Sequence, residues 1–168
     1  MAMFGRTDLP IRKDAASRFI RWLVMVLVFM AAIAQRTRRL RFGPMVYALP
    51  LYHPLRMVEE ICMLDHLSGG RLEVGVGRGV SPFELKHHKV DPEESRDIFI
   101  DAFDCVSAGL ATDKLNYSGK HYEYRDVPIA LRPLQSPHPA FWYGSSNATG
   151  STWAGERGLH FVTNGSTV

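Results

Sequence analysis

The segment His53–Gly79 constrains the fold of this chain more than any other stretch. Pro54 suits the first position of a helix, where its missing amide hydrogen costs nothing, and Leu55, Val58, Ile61, Cys62 and Leu64 recur at helical spacing. Arg56 can share the solvent face with Glu59 and Glu60. Gly69 and Gly70 supply the left-handed backbone that ends a helix. In the strand that follows, Leu72, Val74 and Val76 alternate with Glu73, Gly75 and Gly77, so one face is bulky and the other nearly bare. The bulky face suits covering helices. The bare face leaves room either for a flat ligand or for neighbouring backbone. At the strand's end Arg78 stands between Gly77 and Gly79, and a guanidinium beside mobile backbone amides is phosphate-binding chemistry.

The same alternation continues on either side. Leu40–Tyr47 reads as a strand with Pro44 inside it, which demands an edge, a bulge or a strand end. Asp91-Pro92-Glu93-Glu94 reads as a capping box opening a helix whose Phe99, Ala102, Phe103, Val106 and Leu110 form the buried stripe. Leu115–Tyr124, turning near Ser118-Gly119, reads as a small hairpin. Pro128, Pro133, Pro137 and Pro139 mark an extended connection to a strand at Ala140–Gly144, a helix at Asn147–Arg157 and a last strand at Leu159–Thr163. Strands alternating with helices predict an α/β fold with a parallel sheet or barrel.

Composition narrows the function classes. With 168 residues and 46% apolar content the chain can bury a real core. Its net charge of +3 comes largely from Arg36, Arg38, Arg39 and Arg41, which have neither interleaved aromatics nor a recognition helix and read as a solvated helix end rather than a nucleic-acid surface. Cys62 and Cys105 fall in helices and read as small core residues, which favours a reducing, cytoplasmic setting. The histidines show no ligand spacing, so no metal is expected. Trp22–Ala34 is an unbroken apolar run preceded by basic residues, too short to span a bilayer, and reads as a buried or partly exposed helix running to Gln35, with a signal anchor as the alternative. Residues 1–30 are expected to be a separate, unmatched segment, helical in its second half, before the main unit at 31–168.

Several pieces in order carry a resemblance: Arg41-Phe42-Gly43 with Leu49-Pro50 and His53-Pro54, Leu64-Asp65 with Leu67-Ser68-Gly69-Gly70-Arg71, and Gly75–Gly79. Further on come Leu131-Arg132-Pro133 with Gln135, Pro137-His138-Pro139, and Trp142-Tyr143-Gly144 leading into Ser145-Ser146-Asn147. Together they make residues 31–165 resemble the central part of the bacterial luciferase-like flavin monooxygenases. The resemblance implies a partial (β/α)8 TIM barrel, about strands three to six with a hairpin insertion, holding reduced FMN at the carboxyl ends of its strands. It places Arg78 on the flavin phosphate and Gly77 beside the isoalloxazine. Pro44 and Met45 match the bend of the third strand, where a non-proline cis peptide is common in the family. Ser145, Ser146, Asn147 and Thr149 match the loop that completes the phosphate cradle at a helix start.

The implied activity is oxygenation of a small organic substrate with reduced flavin and molecular oxygen, a flavin reductase supplying the reductant and a homodimer, paired through helices such as that carrying Leu55 and Leu64, as the assembly. The alternatives are a deazaflavin-dependent relative and an inactive half-barrel that binds flavin or self-associates. The departures from the pattern also carry information. A complete barrel needs eight units and about 250 residues, so the chain reads as a truncated form. The second-strand histidine segment of the family has no counterpart, leaving the catalytic acid-base group unknown. Thr149-Gly150 replaces a Glu-Ser pair, which weakens the helix start, and Lys89 stands where glycine is commoner.

Overall fold

A computed structural model describes residues 15–145 and 147–163; expectations about Ser146 and about residues 1–14 lie outside the described residues. The chain opens with α1 (Ala15–Arg36) and continues through β1 (Tyr47–Ala48), a 3-10 turn (Leu49–Leu51), α2 (Pro54–Ser68) and β2 (Val74–Gly77). Then come α3 (Pro82–His87), α4 (Ser95–Leu110) and the hairpin strands β3 (Lys114–Ser118) and β4 (Glu123–Pro128), followed by β5 (Phe141–Gly144), α5 (Ala148–Glu156) and β6 (His160–Val162). Four strands pair in parallel in the order β1-β2-β5-β6. A crossover with at least one helix joins each consecutive pair, as parallel pairing requires.

The two faces of this sheet differ. Tyr47, Val74, Val76, Phe141 and Tyr143 point into one core with Met57, Val58 and Ile61 of α2, Phe99, Phe103 and Val106 of α4, and Trp153 of α5. The rings of Tyr143 and Phe99 lie 5.0 and 5.2 Å from that of Trp153. The opposite face carries Glu73, Gly75, Gly77, Trp142, Gly144 and His160, and Trp142 stacks on His160 with centroids 4.6 Å apart. One covered face and one bare face is the layering of a barrel wall, in which helices occupy only the outside.

Local sequence chemistry sets the helix ends. Pro54 opens α2, and Gly69 closes it at φ 65°, its amide reaching the carbonyls of Asp65 and His66. Arg71 closes α1 from a distance: its guanidinium donates to the carbonyls of Ala34 (3.0 Å), Leu40 (2.7 Å) and Thr37 (3.2 Å) and to the Thr37 hydroxyl (2.9 Å). The carbonyls of Ala34 and Thr37 are ones the end of α1 leaves orphaned, and Leu40 lies in the segment just after it. Buried Asp65 accepts both the backbone amide and the side-chain amide of Gln135, each at 2.8 Å, fixing the proline-rich connection to α2.

Two expectations need correction. The strand expected over Leu40–Tyr47 is broken: Phe42 makes an isolated bridge to Leu72, and regular pairing begins only at Tyr47. Pro44 has no amide to give the ladder, and the chain bulges there, with the Pro44 carbonyl accepting from Gly75 N at 3.1 Å. The helix expected from Asp91 starts at Ser95, because the Asp91 carboxylate accepts from Glu93 N at 2.9 Å in a local turn instead of capping a helix. In α2, the helix expected near an interface between copies, Leu64 is buried within the chain, Leu55 is half-buried, and Met63 and Leu67 are exposed.

The hairpin lies outside α4 and is tied to it by Asp101, whose carboxylate accepts from the Tyr117 hydroxyl (2.6 Å) and from the amides of His121 (2.5 Å) and Tyr122 (3.1 Å). Cys62 and Cys105 are buried free thiols. Burial first, then the charges of Asp65 and Asp101 respectively, pushes them up to about 11 and about 12, so both stay protonated and unreactive. No described helix is long and apolar enough to cross a membrane.

Candidate functional site

Strand register brings the expected residues to one end of the sheet. Ala48 is level with Gly77, Tyr143 with Val76, and Val162 with Gly144. Arg78 and Ser145 therefore leave neighbouring strands side by side, at the strand spacing of about 4.8 Å. Arg78 is exposed and makes no hydrogen bond or ion pair among the described residues. Arg41, by contrast, is held by Glu73 (2.5 Å) and Gln135 (3.0 Å).

Beside Arg78 begins α5. The Asn147 side chain accepts from Gly150 N at 2.8 Å, and the Ser145 hydroxyl accepts from Asn147 N at 3.3 Å. The amides of Ala148 and Thr149 precede the first intrahelical bond and are left over, as at any helix start. Gly150, expected to weaken this start, is instead required by it, because a Cβ there would collide with the Ser145 hydroxyl and lie 3.1 Å from the Tyr143 ring. An unpartnered guanidinium next to free helix-start amides has the donor set for a phosphate.

The bare face meets neighbouring chain at two depths, the Pro44 carbonyl against Gly75 and the Val46 side chain against Gly77 and Gly144. A Cβ on Gly77 would lie 2.7 Å from Val46 Cγ2, and one on Gly144 would lie 3.2 Å from Val46 Cγ1. Val46 thus lies across both glycines on the inner face, directly below the mouth. Sequence reasoning missed it; the signal was the pair of glycines at corresponding places in two adjacent strands. The bend expected at Pro44 and Met45 contains a cis peptide, between Met45 and Val46. Pro44 is buried against Gly75, while Met45 is 56% exposed, its sulfur 2.9 Å from the place of a Gly75 Cβ. Gly77, Arg78, Ser145, Asn147 and Thr149 therefore gather at the mouth, whereas Pro44 and Met45 sit one layer deeper, at the level of Gly75.

After Arg78 the chain turns through Gly79 into α3, where Val80 and Phe83 are exposed and Glu84 is buried. Burial raises the Glu84 carboxyl above its usual range, offset in part by His88, and its Oε1 has no hydrogen-bond partner. Tyr52 is pushed up to about 12 by burial and then by the charges of Glu60 and Glu84. Burial disfavours the charged form of both groups. A cavity of about 350 Å³ at the other end of the sheet, lined by Gln35, Arg38, His66 and Arg71, lies away from this mouth.

The sequence model of the luciferase-like monooxygenases matches residues 15–168. The chain belongs to the luciferase-like monooxygenase family. The match starts inside the N-terminal segment. An uncharacterized protein of Sinorhizobium fredii, y4wF, is 44% identical over 133 residues, which are 79% of this chain and 39% of that protein. Among solved structures, monooxygenase RslO1 of Streptomyces bottropensis is 29% identical and superposes with a TM-score of 0.76 over 80% of this chain and 41% of its own. The oxygenating constituent of 3,6-diketocamphane monooxygenase of Pseudomonas putida, solved in complex with FMN, shares the fold with a TM-score of 0.72 at 22% identity, over 82% of this chain and 42% of its own. The fold is that of luciferase-like TIM-barrel monooxygenases, and the chain spans about two fifths of the length of these relatives.

Proposed function

We propose that this family member is a flavin-dependent monooxygenase whose carboxyl mouth holds the phosphate of reduced FMN, and that it oxygenates a small organic substrate with molecular oxygen. The observation that carries this reading is Arg78, exposed and unpartnered among the described residues at the end of β2, level with Ser145 and the free amides that open α5. Arg78 neutralises the phosphate, and the amides of Ala148 and Thr149 donate to its oxygens from the positive end of a helix. The Ser145 hydroxyl and the Asn147 side chain keep those amides in place by holding the helix start. Val46, braced by Gly77 and Gly144, offers the ring system an apolar wall, and Met45 lies beneath it. Bound reduced flavin supplies the electrons with which oxygen is activated; the chain contributes placement and exclusion of water. A flavin reductase is the proposed source of the reduced cofactor.

Fluorescence titration under anaerobic conditions tests this. Reduced FMN is expected to bind the full chain, and Arg78→Ala to weaken it at least about tenfold, the loss of one charge-assisted contact. Equal affinity in the variant would remove Arg78 from the phosphate. Titration with a deazaflavin in place of FMN decides between the two cofactor classes, tighter binding of the deazaflavin replacing FMN in this reading.

A further inference from the structure

No hydrogen bond or ion pair orients the Arg78 side chain among the described residues, so the backbone from which it springs sets where it can reach. That backbone is held on both sides. Gly77 is level with Ala48 of β1, and Val46 Cγ2 lies 2.7 Å from the place of its missing Cβ. Gly79 lies at φ 81°, which glycine adopts without strain, and the place of its missing Cβ is bounded by Ala48 Cβ at 3.4 Å and by Leu85 Cδ2 at 3.6 Å. Leu85 belongs to α3. It is 3% exposed, yet it lies outside the core that the sheet shares with α2, α4 and α5. Its main chain is tied in both directions: its amide donates to the Ser81 carbonyl at 3.1 Å, and its carbonyl accepts from His88 N at 3.1 Å and Val90 N at 2.9 Å. The Ser81 hydroxyl, accepting from Glu84 N at 3.3 Å, caps the start of the helix.

We propose that Leu85 is a positioning residue for the phosphate arm: seated against Gly79, it fixes the turn from which Arg78 meets an anion beside the α5 amides. The proposal rests on the reading of Arg78 as the residue that holds the flavin phosphate. Preorganisation is the physical argument. A free arginine side chain gives up rotamer freedom when it meets a phosphate, and a backbone that also had to settle would add to that cost. With Gly77 against Val46, and Gly79 between Ala48 and Leu85, only the side chain is left to order. Gly79 has no side chain with which to pack itself in place, and the alanine and the leucine supply the contacts it lacks. Leu85 is buried and does not line the mouth, so its influence on flavin passes through the turn and Arg78.

A double-mutant cycle tests this, comparing the affinity for reduced FMN of the full chain, Leu85→Ala, Arg78→Ala and the two changes together, by anaerobic titration. Leu85→Ala is expected to weaken FMN about fivefold where Arg78 is present and to have no effect where Arg78 is alanine. Equal weakening in both backgrounds would make Leu85 a structural residue only and overturn the proposal. Unchanged affinity in Leu85→Ala alone would overturn it as well. If Arg78→Ala binds FMN as tightly as the unaltered chain, the phosphate reading itself fails and the proposal falls with it; the Arg78 arm alone shows that outcome, which keeps it distinct from a failure of Leu85. Leu85→Met, which nearly conserves volume, is expected to keep most of the affinity, and a Met variant as weak as the Ala variant would show that side-chain volume does not seat the turn. If Leu85→Ala loses its helical circular dichroism, Leu85→Val takes its place in the cycle, with a smaller loss expected only where Arg78 is present.

Discussion

Gly75 and Lys89 show how backbone sterics decide single positions here. A Cβ on Gly75 would strike the Pro44 carbonyl, which is backbone and cannot rotate away. Gly75→Ala is therefore expected to lower stability by about 2 kcal/mol, the usual cost of overpacking, read as a shift in the denaturant midpoint. Lys89 lies at φ 59°. A left-handed residue with a side chain carries about 1 kcal/mol of strain that glycine does not. Lys89→Gly is expected to raise the midpoint by that amount, and an unchanged or lower midpoint would show that the Lys89 side chain compensates elsewhere. Both positions were readable in the sequence in part. The glycine alternation announced a close approach on one face of β2, and the lysine stood where a glycine was expected. Which neighbour makes the approach was not readable, because Val46 reaches Gly77 and Gly144 only through the bulge at Pro44.

At the scale of elements, regular segments were legible and irregular ones were not. Pro54, the apolar spacing and Gly69 specify α2 by local chemistry, and the structure places the helix between them. The stretch from Phe42 to Ala48 depends on which backbone groups β2 claims, a tertiary matter, so a continuous strand was the wrong reading. Asp91 likewise has the residue type of a cap and spends its carboxylate on a turn. The attachment of the hairpin was invisible in sequence because Asp101 lies on the half-polar flank of α4. Burial acts to raise the Asp101 carboxyl, but hydrogen bonds from the Tyr117 hydroxyl and the amides of His121, Tyr122 and Lys120 outweigh it, and the net shift is downward. A depressed carboxyl stabilises above the unfolded value of about 3.9 and loses that contribution as pH falls through the folded value. The hairpin amides are therefore expected to lose protection from hydrogen exchange on acidification below about pH 4. Asp101→Asn is expected to show reduced protection already at neutral pH, at a cost of about 1–3 kcal/mol for the amides left unsatisfied. Full protection in that variant would remove Asp101 as the tie.

For the whole molecule, the sheet order and the one-sided helix layer give a barrel wall whose carboxyl end gathers Gly77, Arg78, Ser145, Asn147 and Thr149. That these residues share one end follows from the parallel register of β2 and β5, which the alternation of strands and helices in the sequence announced. The catalytic acid-base group was not legible: burial raises the Glu84 carboxyl above its usual range and pushes Tyr52 up to about 12, but no geometry among the described residues assigns either the role. In the proposed function this end binds flavin by its phosphate. Comparing FMN with riboflavin, which lacks the phosphate, in parallel equilibrium titrations of the full chain tests it most directly. FMN is expected to bind at least about tenfold more tightly than riboflavin, equivalent to about 1.4 kcal/mol, and the difference is expected to vanish in Arg78→Ala. Equal binding of FMN and riboflavin by the unaltered chain, or binding of neither, would contradict it.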